Sequence, residues 1–237
     1  MLIGPQNSAV LVNQVRSRIR RAAEIAGRDP RSITLIAVGK GKPAESLRAA
    51  ATAGVTDFGE NYIQEAIAKM AALADLPLQW HFIGQLQSNK TRAVAERFEW
   101  VHSIDRFETA RRLSDHRPHH GPPLNLCIQA ALVPEPGKGG VAPPQVAELA
   151  ARIVPLPRLR LRGLMCVPPP LPTAAERRAH FAELRRLLGE LNALGLGLDT
   201  LSMGMSGDFE DAIAEGATHV RIGTAIFGER QPQGKMA

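Results

Sequence analysis

Lys40 stands at the end of a six-residue apolar run, Ile33-Thr34-Leu35-Ile36-Ala37-Val38, inside the turn Gly39-Lys40-Gly41-Lys42-Pro43. Such a run reads as a buried parallel strand that stops at a tight, glycine-flanked turn. Lysine is scarce: Lys40, Lys42, Lys69, Lys90, Lys138 and Lys235 are the whole supply, against a Lys+Arg total of 29. An amine at the carboxyl end of a buried strand sheds part of its hydration and becomes a nucleophile suited to an aldehyde. The simpler reading is a lysine that snorkels out of a strand end.

A second group lies far along the chain. Ser202-Met203-Gly204-Met205-Ser206-Gly207-Asp208 offers two hydroxyls and glycines that let backbone approach closely. Arg221-Ile222-Gly223-Thr224 follows, with Gly223 and Thr224 opening a final helix whose amides favour an anion. Asn61 and His81 add polar groups at two further strand ends. A phosphate pocket facing an amine suits an aldehyde phosphate. Pyridoxal 5′-phosphate meets that description, and so does a sugar phosphate held by an aldolase-type Schiff base. An arginine beside a pyridine nitrogen, in place of a carboxylate, disfavours ring protonation and weakens the ring as an electron sink.

The elements that must position these groups alternate. Strands are expected at Thr34–Val38, 57–58, 80–83, 100–103, 125–131, 160–165, Thr200–Ser202 and His219–Ile222. Helices are expected at 10–26, 43–53, 61–73, 89–98, 107–113, 144–153, 174–194 and 209–215, with Asp208 as an N-cap. Eight such units in 237 residues predict an α/β fold, a single (β/α)8 TIM-type barrel with an extra N-terminal helix. Residues 1–237 then form one domain. A doubly wound open sheet is the alternative, because strand order is not written in sequence. In a barrel the strand ends share one mouth, and the loops after strands 7 and 8 commonly bind phosphate.

Composition narrows the classes. Hydrophobic residues make up 44% and aromatics only 4%, so the core is built from Leu, Ile, Val, Ala and Met. The net charge is +6. The arginines are scattered without interleaved aromatics, which argues for solvated helix faces and against nucleic acid as the partner. Cys127 and Cys166 lie in apolar stretches without metal-ligand spacing and read as buried free thiols, with no metal. No signal peptide and no apolar run near 18 residues are apparent, so a cytoplasmic protein with no membrane contact is expected.

Five segments carry a resemblance to a known family. They are Ala37-Val38-Gly39-Lys40-Gly41-Lys42-Pro43, Phe58-Gly59-Glu60-Asn61-Tyr62-Ile63-Gln64-Glu65, Trp80-His81-Phe82-Ile83-Gly84-Gln85-Leu86-Gln87-Ser88-Asn89-Lys90, Leu201-Ser202-Met203-Gly204-Met205-Ser206 and Val220-Arg221-Ile222-Gly223-Thr224-Ala225-Ile226-Phe227-Gly228. In this order they resemble the pyridoxal-phosphate homeostasis proteins, over residues 35–230. The resemblance implies an alanine-racemase-like barrel that carries pyridoxal 5′-phosphate (PLP). By motif position, Lys40 would form a Schiff base with it and Arg221 would face the pyridine nitrogen. Ser202, Ser206, Gly223 and Thr224 would hold the phosphate; Asn61, His81 and Met203 would surround the ring. The loop bearing Glu135, Lys138 and Gly140 is similar to the family's lysine-bearing loop.

Two positions depart from the family, which usually has Ser before the lysine and Thr after it. Here they are Gly39 and Gly41, and a looser turn without those hydroxyls is expected. An amino-acid racemase is the alternative function. It needs an acid/base group on each face of the cofactor. Alanine racemases take the second from a tyrosine in a separate carboxyl-terminal domain of the partner subunit. This chain has no room for that domain after its barrel, and its one tyrosine, Tyr62, reads as a packing or rim residue. The resemblance therefore implies no catalytic residue. It implies a monomer or weak dimer that stores, buffers or delivers PLP to PLP-accepting apo-enzymes. A cofactor-free phosphate-binding isomerase barrel is a third reading.

Overall fold

The apolar run is strand β1 (Thr34–Val38), whose last three residues are buried. The computed structural model describes residues 5–133 and 139–229. Seven further strands follow in chain order: β2 (Asp57–Glu60), β3 (Gln79–Phe82), β4 (Trp100–Ile104), β5 (Leu124–Gln129), β6 (Leu159–Met165), β7 (Thr200–Ser202) and β8 (His219–Ile222). Each pairs in parallel with the next, and β8 returns to β1 with Ile36 opposite Arg221. The sheet is thus a closed barrel, and the open-sheet alternative is excluded.

The helices are α1 (Pro5–Ile25), α2 (Ala44–Thr52), α3 (Ile63–Ala72), α4 (Thr91–Arg97), α5 (Phe107–His116), α6 (Pro143–Ile153), α7 (Ala174–Ala193), α8 (Phe209–Ala214) and α9 (Thr224–Phe227). Helix α7 begins with a capping box between Thr173 and Glu176, which satisfies amides at its first turn. Asp208 occupies the N-cap position of α8 as expected, without a side-chain capping hydrogen bond. Its carboxylate instead accepts the Met205 amide at 2.5 Å and braces the loop after β7.

Alternate strand residues face opposite sides. Phe58, Phe82, Val101, Leu126, Leu164, Leu201 and Val220 face outward and pack with the helices in one large cluster. Trp100, Cys127 and Met165 form a separate small cluster. Ile36 and Val38 of β1 also lie on the inner face, and several other inward positions are polar. His81, His102, Ser202 and Arg221 are all buried, where branched aliphatic side chains usually fill such a barrel. Both cysteines are free, and burial pushes each thiol up to about 12, so they are inert at neutral pH.

Helix α1 buries Val12, Val15, Ile19 and Ala23 at helical spacing. It packs on α2, α8 and α9, across the seam where β8 meets β1. Arg16 donates to Ala53 O and Gly54 O, both at 2.7 Å, and Arg18 pairs with Glu210 of α8. Among the described residues, no helix is long and apolar enough to cross a membrane. No group of His, Cys, Asp or Glu suited to a metal ion is present among them either.

Candidate functional site

The turn carrying Lys40 is held from several sides. Lys42 N donates to Gly39 O at 2.9 Å and Gly39 N donates to Gly59 O at 3.0 Å. Lys69 of α3, 5% exposed, donates to Gly39 O at 2.6 Å, Glu60 Oε1 at 2.7 Å and Glu65 Oε1 at 2.6 Å. Glu65 Oε1 also accepts the Gly41 amide at 2.6 Å. Lys42 Nζ reaches Phe227 O and Glu229 O, each at 2.8 Å, and ties the turn to the end of α9. The expectation of a loose turn therefore gives way to a pinned one. Gly41 sits at φ +70°, a conformation that costs glycine little and other residues more. A Cβ on Gly39 would stand 2.5 Å from Glu60 Oε1.

Glu60 is fully buried, and its Oε2 has no hydrogen-bond partner among the described residues. Burial pushes its carboxyl from 4.5 up to about 7, although Lys69 and Lys40 pull the other way. A carboxyl raised on folding holds its proton more tightly in the folded state. Its stability contribution is complete below about pH 4.5 and is lost as pH rises through about 7, on the order of 3 kcal/mol. Urea denaturation across this range should show stability falling with pH, and a flatter profile for Glu60→Gln. Superimposable profiles would assign the slope to other groups.

Arg221 comes up from β8 inside the barrel and is 5% exposed. Its Nη1 donates to Ser202 O at 2.7 Å and Ser202 Oγ at 2.8 Å, and Nη2 donates to Cys166 O at 2.8 Å. Burial lowers its pKa, yet a guanidinium remains charged in proteins. Ser202 is itself fully buried, and its Oγ lies within hydrogen-bond distance of His102 Nδ1, at 2.8 Å. The structure thus engages Ser202 with Arg221 and His102. Ser206 lies at the mouth, its Oγ accepting the Ala225 amide at 3.3 Å, which joins the β7 and β8 loops. Gly223 lies beside β1, where a Cβ would be 3.4 Å from Val38 O. Ser206, Gly223 and Thr224 are therefore gathered beside the strand end that carries Lys40.

The remaining predicted residues divide. Asn61 lies at the mouth, and its buried Oδ1 has no partner among the described residues. It borders a cavity of about 290 Å³ lined also by Gln85, Ser103, Asp105, Gln129 and His180. His81 lies deeper, fully buried and stacked on Trp100 with centroids 5.6 Å apart. Met203 packs in the outer cluster; Met165 is the methionine turned inward. Tyr62 is 61% exposed at the start of α3. Glu135 and Lys138 lie outside the described residues. Sequence reasoning missed Lys69, Glu60, Asp57 and His102. The pairs Trp100/His102 and His219/Arg221 have the two-residue period of one strand face, a signal that would have placed His102 inside.

The fold and this mouth define an alanine-racemase-type barrel: the model of the alanine racemase N-terminal domain matches residues 10–231. A barrel of the same fold occurs in alanine racemase from Corynebacterium glutamicum, 17% identical with a TM-score of 0.66 over 94% of this chain and 63% of that one. Within that class, the chain belongs to the pyridoxal phosphate homeostasis protein family. It is 58% identical to the member from Pseudomonas aeruginosa over 92% of this chain and 94% of that protein. The member from Escherichia coli K12 is 49% identical, with the same coverage. The structure of PipY from Synechococcus elongatus with PLP bound has a TM-score of 0.79 at 44% identity, covering 89% of this chain and 100% of that one.

Proposed function

We propose that the protein binds PLP at the carboxyl mouth of its barrel and serves to store, buffer or deliver it. The observation that carries this reading is the buried, fixed guanidinium of Arg221 in the same mouth as Lys40. The homeostasis name shared by its relatives and the PLP held by PipY support it. The residues present fit the group. Lys40 offers the amine, Ser206, Gly223 and Thr224 the phosphate side, and Asn61 an unpartnered amide oxygen.

When bound, PLP supplies an electrophilic aldehyde and an electron-withdrawing ring. Lys40 would tether it covalently, and Arg221, always a donor, would face the ring nitrogen and disfavour its protonation. Racemisation needs a second acid/base group across the ring. The exposed rim position of Tyr62 favours a carrier without robust activity of its own. In this reading the protein is a cytoplasmic monomer or weak dimer, and PLP-accepting apo-enzymes are its clients. Borohydride reduction followed by mass spectrometry tests the site: the cofactor mass is expected on the peptide bearing Lys40. Absence of label on any lysine overturns the PLP reading, and robust turnover of alanine or serine overturns the carrier reading.

A further inference from the structure

A continuous hydrogen-bonded chain runs through the barrel from one face to the other. At the amino face, Asp57 opens β2 and borders a groove with Arg16, Thr34 and Thr56. Its Oδ1 meets His81 Nε2 at 3.0 Å, and its Oδ2 accepts from Thr56 Oγ1 at 2.6 Å. His81 Nδ1 meets His102 Nε2 at 2.9 Å. His102 Nδ1 meets Ser202 Oγ at 2.8 Å, and Ser202 Oγ accepts from Arg221 Nη1 at 2.8 Å. Both imidazoles are fully buried.

The two ends of this chain are fixed in kind. Arg221 only donates, and ionised Asp57 only accepts. Burial pushes the Asp57 carboxyl up, but the hydrogen bonds from His81 and Thr56 outweigh it and hold the group ionised below the usual range. Burial lowers both histidines, and His102 well below 6.5, so both rings are neutral. Facing the carboxylate, His81 must carry its proton on Nε2, which leaves Nδ1 as an acceptor. His102 must then carry its proton on Nε2 and accept at Nδ1. Ser202 therefore donates to His102 while accepting from Arg221. Each link has one donor and one acceptor, and all the protons point from Arg221 toward Asp57. Reversing one neutral ring would set two acceptors or two donors against each other.

We propose that Asp57, His81 and His102 are positioning residues that lock Arg221 and Ser202 in one donor pattern, so that an acid on the far face of the barrel governs how the cofactor ring is held. The cofactor end of this proposal rests on the PLP reading above; the ordering of the chain does not. It explains why His81, His102, Ser202 and Arg221 stand at inward positions that apolar side chains could fill. A satisfied buried network fixes one arrangement, and a partly satisfied one is costly.

The test has two arms. The first is ¹⁵N NMR of the imidazole nitrogens in the cofactor-free protein at about pH 7. His81 and His102 should both be neutral with the proton on Nε2. In Asp57→Ala, which removes the obligate acceptor, both rings should become mixtures of tautomers. An imidazolium at either ring, or a proton on Nδ1 in the unsubstituted protein, overturns the relay. That measurement decides the matter even where Asp57→Ala fails to fold. The second arm follows the visible band of the bound cofactor against pH in Asp57→Ala and Asp57→Asn. The band's titration should move and PLP affinity should fall by about threefold to tenfold in Asp57→Ala. Altered tautomers with an unmoved band and affinity overturn the cofactor role of Asp57. An unsubstituted protein that binds no PLP overturns the functional reading instead, and leaves the chain's order to the first arm.

Discussion

Lys40→Ala, mixed with PLP and desalted, is expected to emerge without the visible absorbance that the unsubstituted protein retains. In the proposed site the Lys40 amine is the covalent attachment, so its removal takes away the strongest hold on the cofactor. Loss of the amine should weaken binding by at least about tenfold, or about 1.4 kcal/mol. The same loss has a thermodynamic signature. A ligand at about 100 times its Kd stabilises a folded protein by about 2.7 kcal/mol, so PLP should raise the midpoint of unfolding in the unsubstituted protein. At the same PLP concentration the rise should shrink sharply in Lys40→Ala. Lys42→Ala is the control, because Lys42 Nζ reaches back to carbonyls at the end of α9. A retained band in Lys40→Ala, or its loss only in Lys42→Ala, would place the tether elsewhere.

The second large effect belongs to a residue that touches no cofactor. Lys69→Met keeps most of the side-chain volume but removes the cation from between Glu60 and Glu65. Breaking a buried pair leaves the remaining charge uncompensated, at a cost of about 3–5 kcal/mol. Lys69 is 5% exposed and Glu60 fully buried, so little solvent is at hand to screen the loss. Protonation can relieve it. Without Lys69 the pKa of Glu60 should rise further, so the variant should recover stability as pH falls. Denaturation at neutral and mildly acid pH measures this difference directly. A stability loss that does not depend on pH would instead identify the lost Gly39 O hydrogen bond as the main effect. The Lys40 turn should loosen in either case, slowing PLP attachment.

Much of this was legible in the residues, and the physical reason is the buried parallel sheet. Strands buried on both faces are apolar along their length, so β1 announces itself and its end announces Lys40. Alternation of such runs with helical periodicity points to a barrel, but closure depends on β8 finding β1, a pairing written nowhere locally. Depth was the harder quantity. Ser202 and Met203 are neighbours at the end of a three-residue strand, too short to show a period. Ser202 turns inward to Arg221, whereas Met203 packs in the large outer cluster. Lys69 was invisible as a functional residue because Glu65 and Lys69 at i, i+4 look like an exposed helical ion pair. The packing of α3 over the β1 turn buries Lys69 and leaves Glu65 partly exposed.

Helix α1 carries a consequence for how the chain is made. Its apolar stripe is covered by α2, α8 and α9, and α8 lies nearly two hundred residues downstream, as the Arg18–Glu210 separation of 192 records. Helix α1 therefore leaves the ribosome well ahead of α8 and α9 and must wait for them to complete its packing. At about 5–20 residues per second that wait is on the order of ten seconds or more. During it, Val12, Val15, Ile19 and Ala23 lack their final partners, and the barrel seam cannot shut. The basic residues beside the stripe, Arg16, Arg18, Arg20 and Arg21, keep the waiting helix soluble by charge. Those same side chains later become the clasps, with Arg16 on the end of α2 and Arg18 on α8.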